Sequence, residues 1–418
     1  MVTLDVLDNG VRFLTEAMPH VRSVSFGVWL TRGSRHELDA EAGIAHFVEH
    51  MLFKGTERRS AEEIAQVIDA LGGQLDAFTA KEYASYYVKV LDEHLPLAID
   101  VLSDIVLRPA FPAVEVERER GVILEEIKMV EDTPDDLVHE IFTQAFWSGH
   151  PLGRPILGTK ESLETFTPDI LRRYFGDTYV AQNVVIAAAG NIEHGRLRDL
   201  VSSAFAELPG SGSARQDVAP PVDTRVTTRH KDLEQAHLCV GSEGYPQIHE
   251  DRYACYLLNT VLGGSVSSRL FQNIRERHGL AYAVYSGLSA YRDAGMFTIY
   301  AGCANERVND VLDLVASELR TVKRTPVPAE ELARAKAHLK GSLTLSLEST
   351  SSRMSHLARH DIYFGRHLSL DETLEAIERV TAEDLMRVAH TLFRTGRLAV
   401  AVVGAPNGNR LDQPLSLD

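Results

Sequence analysis

"LDEHLPLAIDVLSDIVLRPAFPAVEVERERGVI" (residues 91–123) and "CANERVNDVLDLVASELRTVKRTPVPAEELARAKAHL" (residues 303–339) read as one pattern written twice. Each leaves the end of an apolar strand, runs on as an amphipathic helix, passes a proline-bearing connection and enters a second long helix. A second pair lies at a similar offset: "SVSFGVWLTRGSR" (23–35) and "AHLCVGSEGYP" (236–246) both read as an apolar strand closed by a glycine turn. Self-similarity of this kind implies duplication of one α+β unit. The length agrees, because 418 residues exceed what a single hydrophobic core usually supports. The compositional break "LPGSGSARQDVAPPVDT" marks a linker at 208–224, dividing a first domain at 1–207 from a homologous second domain at 225–418.

Composition narrows the class. A net charge of -16 leaves no basic stripe to replace counterions on phosphates, which speaks against nucleic acid and for cationic partners. The three cysteines, Cys239, Cys255 and Cys303, lack C-x-x-C spacing and are expected as small buried hydrophobes in a reducing compartment. The start, "MVTLDVLDNGVRFLTEAMP", reads as strand, Asn-Gly turn and strand rather than as a basic leader with an apolar run. No stretch of about 18 apolar residues occurs, so a membrane span is not expected. The expected location is the cytoplasm.

Chemistry concentrates in "GIAHFVEHMLFKGT" (43–56). Ile44, Phe47, Val48, Met51 and Leu52 fall on one face of a helix. His46 and His50, at i and i+4, project together and can direct ring nitrogens at one cation about 2 Å away. Glu49 stands where it can take a proton from a metal-activated water. This order, H-x-x-E-H, is the mirror of the commoner zinc-peptidase sequence. Two histidines leave a catalytic zinc one protein ligand short. "EVERERGVILEEIKMVEDTPDD" offers it, because Glu119 and Glu126 lie two helical turns apart and share a face, whereas Glu125 points about 100° away. This geometry allows Glu126 to bind the metal while Glu119 holds a ligand or the water from behind. In the second half, the motif's place is taken by "YLLNTVLGGSVSSRLF" (256–271), which has no histidine or glutamate.

His46, Glu49 and His50, with Glu126 farther along, resemble the pitrilysin-type (M16) zinc metallopeptidases. More closely, the chain is similar to the mitochondrial processing peptidase β-subunit and its short bacterial relatives. "HFVEHMLFKGT", "LGGQLDAFTAKEYASYYVKVL", "ERGVILEEI", "HPLGRPILGT" and "IRERHGLAYAVYS" carry the likeness in the same order over nearly the whole chain. The resemblance implies an α+β fold of two duplicated domains forming half of a clamshell chamber, with one Zn2+ per chain held by His46, His50 and Glu126. It implies Glu49 as base, Glu119 as support, and Arg275 with Tyr282, in "RERHGLAY", aimed at the substrate. Because those two residues reach the zinc from the opposite half-shell in the family, the chain is expected to be a homodimer that exchanges them.

Extended peptides are the expected substrates. The stretch "GGQLDAFTAKEYASYYVKV" (72–90), with Ala77 and Phe78, is a candidate sheet edge on which a peptide can add as a strand. Asp136 and Glu140, four apart, can hold one arginine between two carboxylates. They occupy positions like those with which the processing peptidase β-subunit grips an arginine just before the cleaved bond. The function expected is zinc-dependent endopeptidase activity on unfolded, basic peptides. The alternative is a catalytically silent assembly member of the family, or a subunit that needs a separate partner chain.

Overall fold

The computed structural model describes residues 2–211, 217–405 and 415–417. Positions 212–216 of the expected linker lie outside the described residues. The strands are β1 (Val2–Val6), β2 (Arg12–Ala17), β3 (Ser23–Leu30), β4 (Gln74–Thr79), β5 (Ala84–Leu91) and β6 (Val184–Gly190), followed by β7 (Val226–His230), β8 (Gln235–Gly244), β9 (Ala281–Ala290), β10 (Gly295–Ala304) and β11 (Ala399–Gly404). They form two sheets, ordered β1-β2-β6-β3-β5-β4 and β7-β11-β8-β10-β9. Apart from the extra strand β1, the sheets are topologically the same. β2 runs parallel to β6 as β7 does to β11, and every other neighbour pair is antiparallel. The duplication read from the sequence is thus present in strand order and strand direction.

The chain folds as two compact units. The first comprises Met1–Lys128, Arg154–Asp217 and Leu345–His367; the second comprises Met129–Gly153, Val218–Thr344 and Leu368–Asp418. In the first unit, one face of the sheet packs Val24, Phe26 and Val28 against Phe47, Val48 and Met51 and against Leu102 of the helix Leu95–Leu107. The other face, with Leu14, Trp29, Val185 and Ala187, is covered by Met354, Leu357, Ala358 and Ile362 of the helix Thr350–Phe364. That helix comes from the second half of the sequence. The second unit mirrors this: Cys239, Ala399, Ala401 and Val403 are covered by Leu137, Val138, Phe142 and Phe146 of the helix Pro134–Phe146, which comes from the first half. Each half of the sequence therefore lends one helix to the other half's sheet.

Two glycines make this close packing possible. A Cβ at Gly27 of β3 would lie 2.9 Å from Met354 Sδ, and one at Gly241 of β8 would lie 2.5 Å from Phe142 Cζ. Sheets covered on both faces have apolar central strands without alternation. β6, "VVIAAAG", is buried at every position. The three cysteines are buried and free, as expected from their spacing.

Candidate metal centre

The helix Ile44–Leu52 starts at Gly43, whose φ of 92° is a left-handed value that favours glycine. A Cβ there would also lie 2.7 Å from the Cα of Gly158, so two glycines touch at the helix entrance. Glu37 ties the same turn from the other side, accepting from the Gly43 and Ala45 N–H groups at 2.9 Å each. Burial pushes the Glu37 pKa up to about 8, against the pull of those two N–H groups. Ile44, Phe47, Val48, Met51 and Leu52 are all buried, which fixes the helix's rotation and leaves His46, Glu49 and His50 half-buried together.

The helix Ala113–Asp132 brings the carboxylates. Its buried residues Val116, Glu119 and Ile123 press it into the unit. Glu126 Oε2 is 3.8 Å from His46 Nε2, and Glu126 Oε1 is 3.7 Å from His50 Nε2. One ligand atom from each of the three lies within 4.8 Å of the other two. Ligands on a tetrahedral zinc stand roughly 3.3 Å apart, so the donor set needs little adjustment to take the ion. Glu126 Oε2 is a buried oxygen with no hydrogen-bond partner among the described residues, a donor atom whose burial a cation would offset.

The surroundings fit the same reading. His50 Nδ1 is 3.0 Å from Glu119 Oε2, and Lys54 Nζ is 2.7 Å from Glu119 Oε1. A carboxylate on the outer ring nitrogen orients the imidazole and raises its basicity. Burial, and then the charge of His50, lower the His46 pKa to about 4, so the ring is neutral and its lone pair is free at pH 7. Glu49 accepts a hydrogen bond from Thr79 Oγ1 at the end of β4. Burial raises the Glu49 pKa; the Thr79 bond and His50 oppose this, while Asp76 and Glu126 add to it. A carboxylate raised in this way is better matched to accepting a proton near neutral pH.

The other residues named from the sequence are distributed as follows. Ala77 and Phe78 lie in β4, an edge strand of the first sheet; Phe78 is 37% exposed and stacks edge-on against Trp29. Arg275 and Tyr282 belong to the second unit and do come together: Arg275 Nη1 donates to the Tyr282 carbonyl at 2.8 Å, and the guanidinium lies 4.8 Å from the Tyr282 ring centroid. Arg275 sits on a short π-helical segment, Phe271–Arg277, and Tyr282 is 77% exposed. Such segments are frequent at functional sites. Asp136 is exposed and Glu140 half-buried on the helix Pro134–Phe146, also in the second unit. Sequence reasoning missed Glu37, Lys54 and Thr79. Lys54 stands four residues after His50 in the quoted motif, a spacing that already places it one turn onward.

A duplicated α+β frame carrying a two-histidine, one-glutamate donor set beside two further glutamates, Glu49 and Glu119, defines a metallopeptidase-like class. The chain belongs to the M16 peptidase family: the insulinase (peptidase family M16) profile matches residues 12–160, and the "Peptidase M16 inactive domain" profile matches residues 165–339. It is 46% identical over 409 residues to "Uncharacterized zinc protease YmxG" of Bacillus subtilis, covering 98% of this chain and 99% of that protein. It is 43% identical over 419 residues to "Uncharacterized zinc protease Rv2782c" of Mycobacterium tuberculosis, covering 98% and 94%. In fold it is similar to a crystal structure of a "peptidase M16 inactive domain" from Pseudomonas fluorescens (TM-score 0.91, 22% identity, covering 97% of this chain and 98% of that one). A protease from Helicobacter pylori is similar as well (TM-score 0.90, 21% identity, covering 96% and 99%). Among the described residues, no helix is long and apolar enough to cross a membrane.

Proposed function

We propose that this chain is a zinc-dependent endopeptidase of the cytoplasm, acting on extended peptides as a homodimer. The observation that carries the proposal is the convergence of His46 Nε2, His50 Nε2 and the Glu126 carboxylate, with Glu49 one helical turn from His46. One Zn2+ per chain fits this donor set and, when bound, supplies Lewis acidity that polarises a carbonyl and acidifies water. Glu49 takes the proton of the attacking water and returns it to the leaving amine, with Thr79 holding its second oxygen in place. Glu119, braced by Lys54, orients His50. β4 presents an unpaired edge beside the helix that bears Glu49, so a peptide can add to it as a further strand. Arg275 and Tyr282, supplied by the partner chain, hold the peptide and donate hydrogen bonds to the developing oxyanion.

The proposed preference is for basic peptides, with arginine at the second residue before the cut, held by Asp136 and Glu140. The test is cleavage of an unstructured arginine-containing peptide of about 20 residues by wild type and by Glu49→Gln, with products mapped by mass. Wild type should cut and Glu49→Gln should not, while its zinc content is unchanged. Equal cleavage by both would remove Glu49 as base. Unchanged selectivity between arginine and alanine peptides in the Asp136→Asn, Glu140→Gln double variant would remove the arginine pocket.

A further inference from the structure

The helix Thr350–Phe364 carries a second histidine pair at i and i+4, His356 and His360. It ends at Gly365, whose φ of 62° turns the chain back, and His367 follows two residues later. One nitrogen from each of these three imidazoles lies within 4.8 Å of the other two, the same spacing that His46, His50 and Glu126 meet. These are the two such groups of three among the described residues. The ring centroids of His356 and His360 are 3.8 Å apart, and those of His367 are 6.1 and 5.7 Å from them. Side-chain rotations of about 1 Å would bring the three nitrogens to tetrahedral spacing.

The scaffold beneath them is firmly held. Ser25 Oγ meets Thr350 Oγ1 at 2.9 Å, Arg12 pairs with Asp361 at 3.0 Å, Arg353 pairs with Glu16, and Met354 is buried over Gly27. All three imidazoles are half-buried. Packing alone is a weak explanation for three clustered imidazoles, since apolar side chains fill such space without desolvating ring nitrogens. The local sequence is also informative. "HLAR" followed by His360 repeats the H-x-x-E-H spacing of the first site, but Arg359 stands where Glu49 stands there. This second trio has donors and no base.

We propose that His356, His360 and His367 form a second metal site, for a divalent ion of the zinc or nickel type, which clamps the end of this helix to the segment beyond Gly365. Three imidazoles without a carboxylate suit late first-row metals and not magnesium or calcium. Arg359 lowers the affinity relative to the first site and precludes a hydrolytic role like that of Glu49. The inference does not depend on the peptidase reading.

The test uses the full chain, stripped of metal and then titrated with Zn2+ and, separately, Co2+. Wild type should retain about two equivalents after desalting, and His46→Ala/His50→Ala about one. In that background, Co2+ should give the visible absorption of a nitrogen-ligated ion, and Zn2+ should raise the thermal midpoint. Adding His356→Gln/His360→Gln should abolish both signals. Should the combined variant fail to fold, His367→Gln in the same background, with folding checked by circular dichroism, reads the same loss. In the otherwise wild-type chain, His356→Gln/His360→Gln should leave peptide cleavage unchanged. No stoichiometric ion in the His46→Ala/His50→Ala chain, or binding there that survives loss of His356 and His360, overturns the proposal; the latter is adventitious surface binding.

Discussion

The helix Ile44–Leu52 and the helix Arg252–Leu262 each follow a central strand of their sheet, and only the first carries histidines and a glutamate. Set in register at His46 and Tyr256, the two bury the same positions, except that His50 is half-buried where Thr260 is buried. Tyr256, Asn259 and Thr260 stand where His46, Glu49 and His50 stand. Even the bond to the edge strand is kept: Glu49 accepts from Thr79 on β4, and Asn259 accepts from Ser286 Oγ on β9 at 2.7 Å. In the long helices that follow, buried Glu119 is matched by buried Ala335. The frame is common to both halves and the charged groups are not. Architecture and chemistry are separable here, the latter residing in a few side chains on a repeated scaffold.

That comparison can be broken outright by mixing inactive chains. If the bare half contributes Arg275 and Tyr282 to the metal-bearing half of a partner, Glu49→Gln and Tyr282→Phe chains should each be inactive alone. Once exchanged into mixed dimers, they should recover roughly a quarter of wild-type activity, because one site in each mixed dimer is then complete. No recovery, with mixed dimers demonstrated by mass, would place both sets within one chain.

A smaller effect sharpens the contrast between Glu119 and Ala335. Glu119→Gln should weaken zinc about 10- to 100-fold without abolishing folding, as loss of a ligand-orienting acid does. Competition with a chelator measures it, and unchanged affinity would reduce Glu119 to a partner for Lys54.

The smallest effect concerns the helix entrances. The second helix is preceded by Asp251, whose carboxylate is held low by Arg387 at 2.6 Å. The first is preceded by buried Glu37, raised to about 8 from an ordinary 4.5. The folded chain then binds a proton more tightly than the unfolded chain between those values. Its contribution to stability is full below pH 4.5 and declines as pH rises towards 8, by at most about 1.4 kcal/mol per pH unit. Urea unfolding of wild type and Glu37→Gln at several pH values should show a shallower decline in the variant; an identical slope would clear Glu37 of that role.

Much of this was legible before the structure. Helical spacing in "IAHFVEHMLF" and the shared face of Glu119 and Glu126 are local properties, and the strand patterns repeat plainly enough to disclose the duplication. What stayed hidden depends on distant partners. Glu37 looks like any acid in a polar loop until Gly43 and Ala45 close on it. The apolar face of Pro134–Phe146 announces that it packs, and not that it packs on strands from the other half. The histidines at 356, 360 and 367 straddle a helix end, so no single periodicity joins them.

The exchanged helices bear on how the protein is made. Until Thr350–Phe364 has been synthesised, Leu14, Trp29, Val185 and Ala187 have no cover on one face of the first sheet. The face that carries the helix with His46, Glu49 and His50 is packed by first-half residues alone, whereas the opposite face waits for a helix that begins only at Thr350. A chain truncated before Thr350 would thus keep the packing of its metal-binding-motif helix while exposing Leu14, Trp29, Val185 and Ala187.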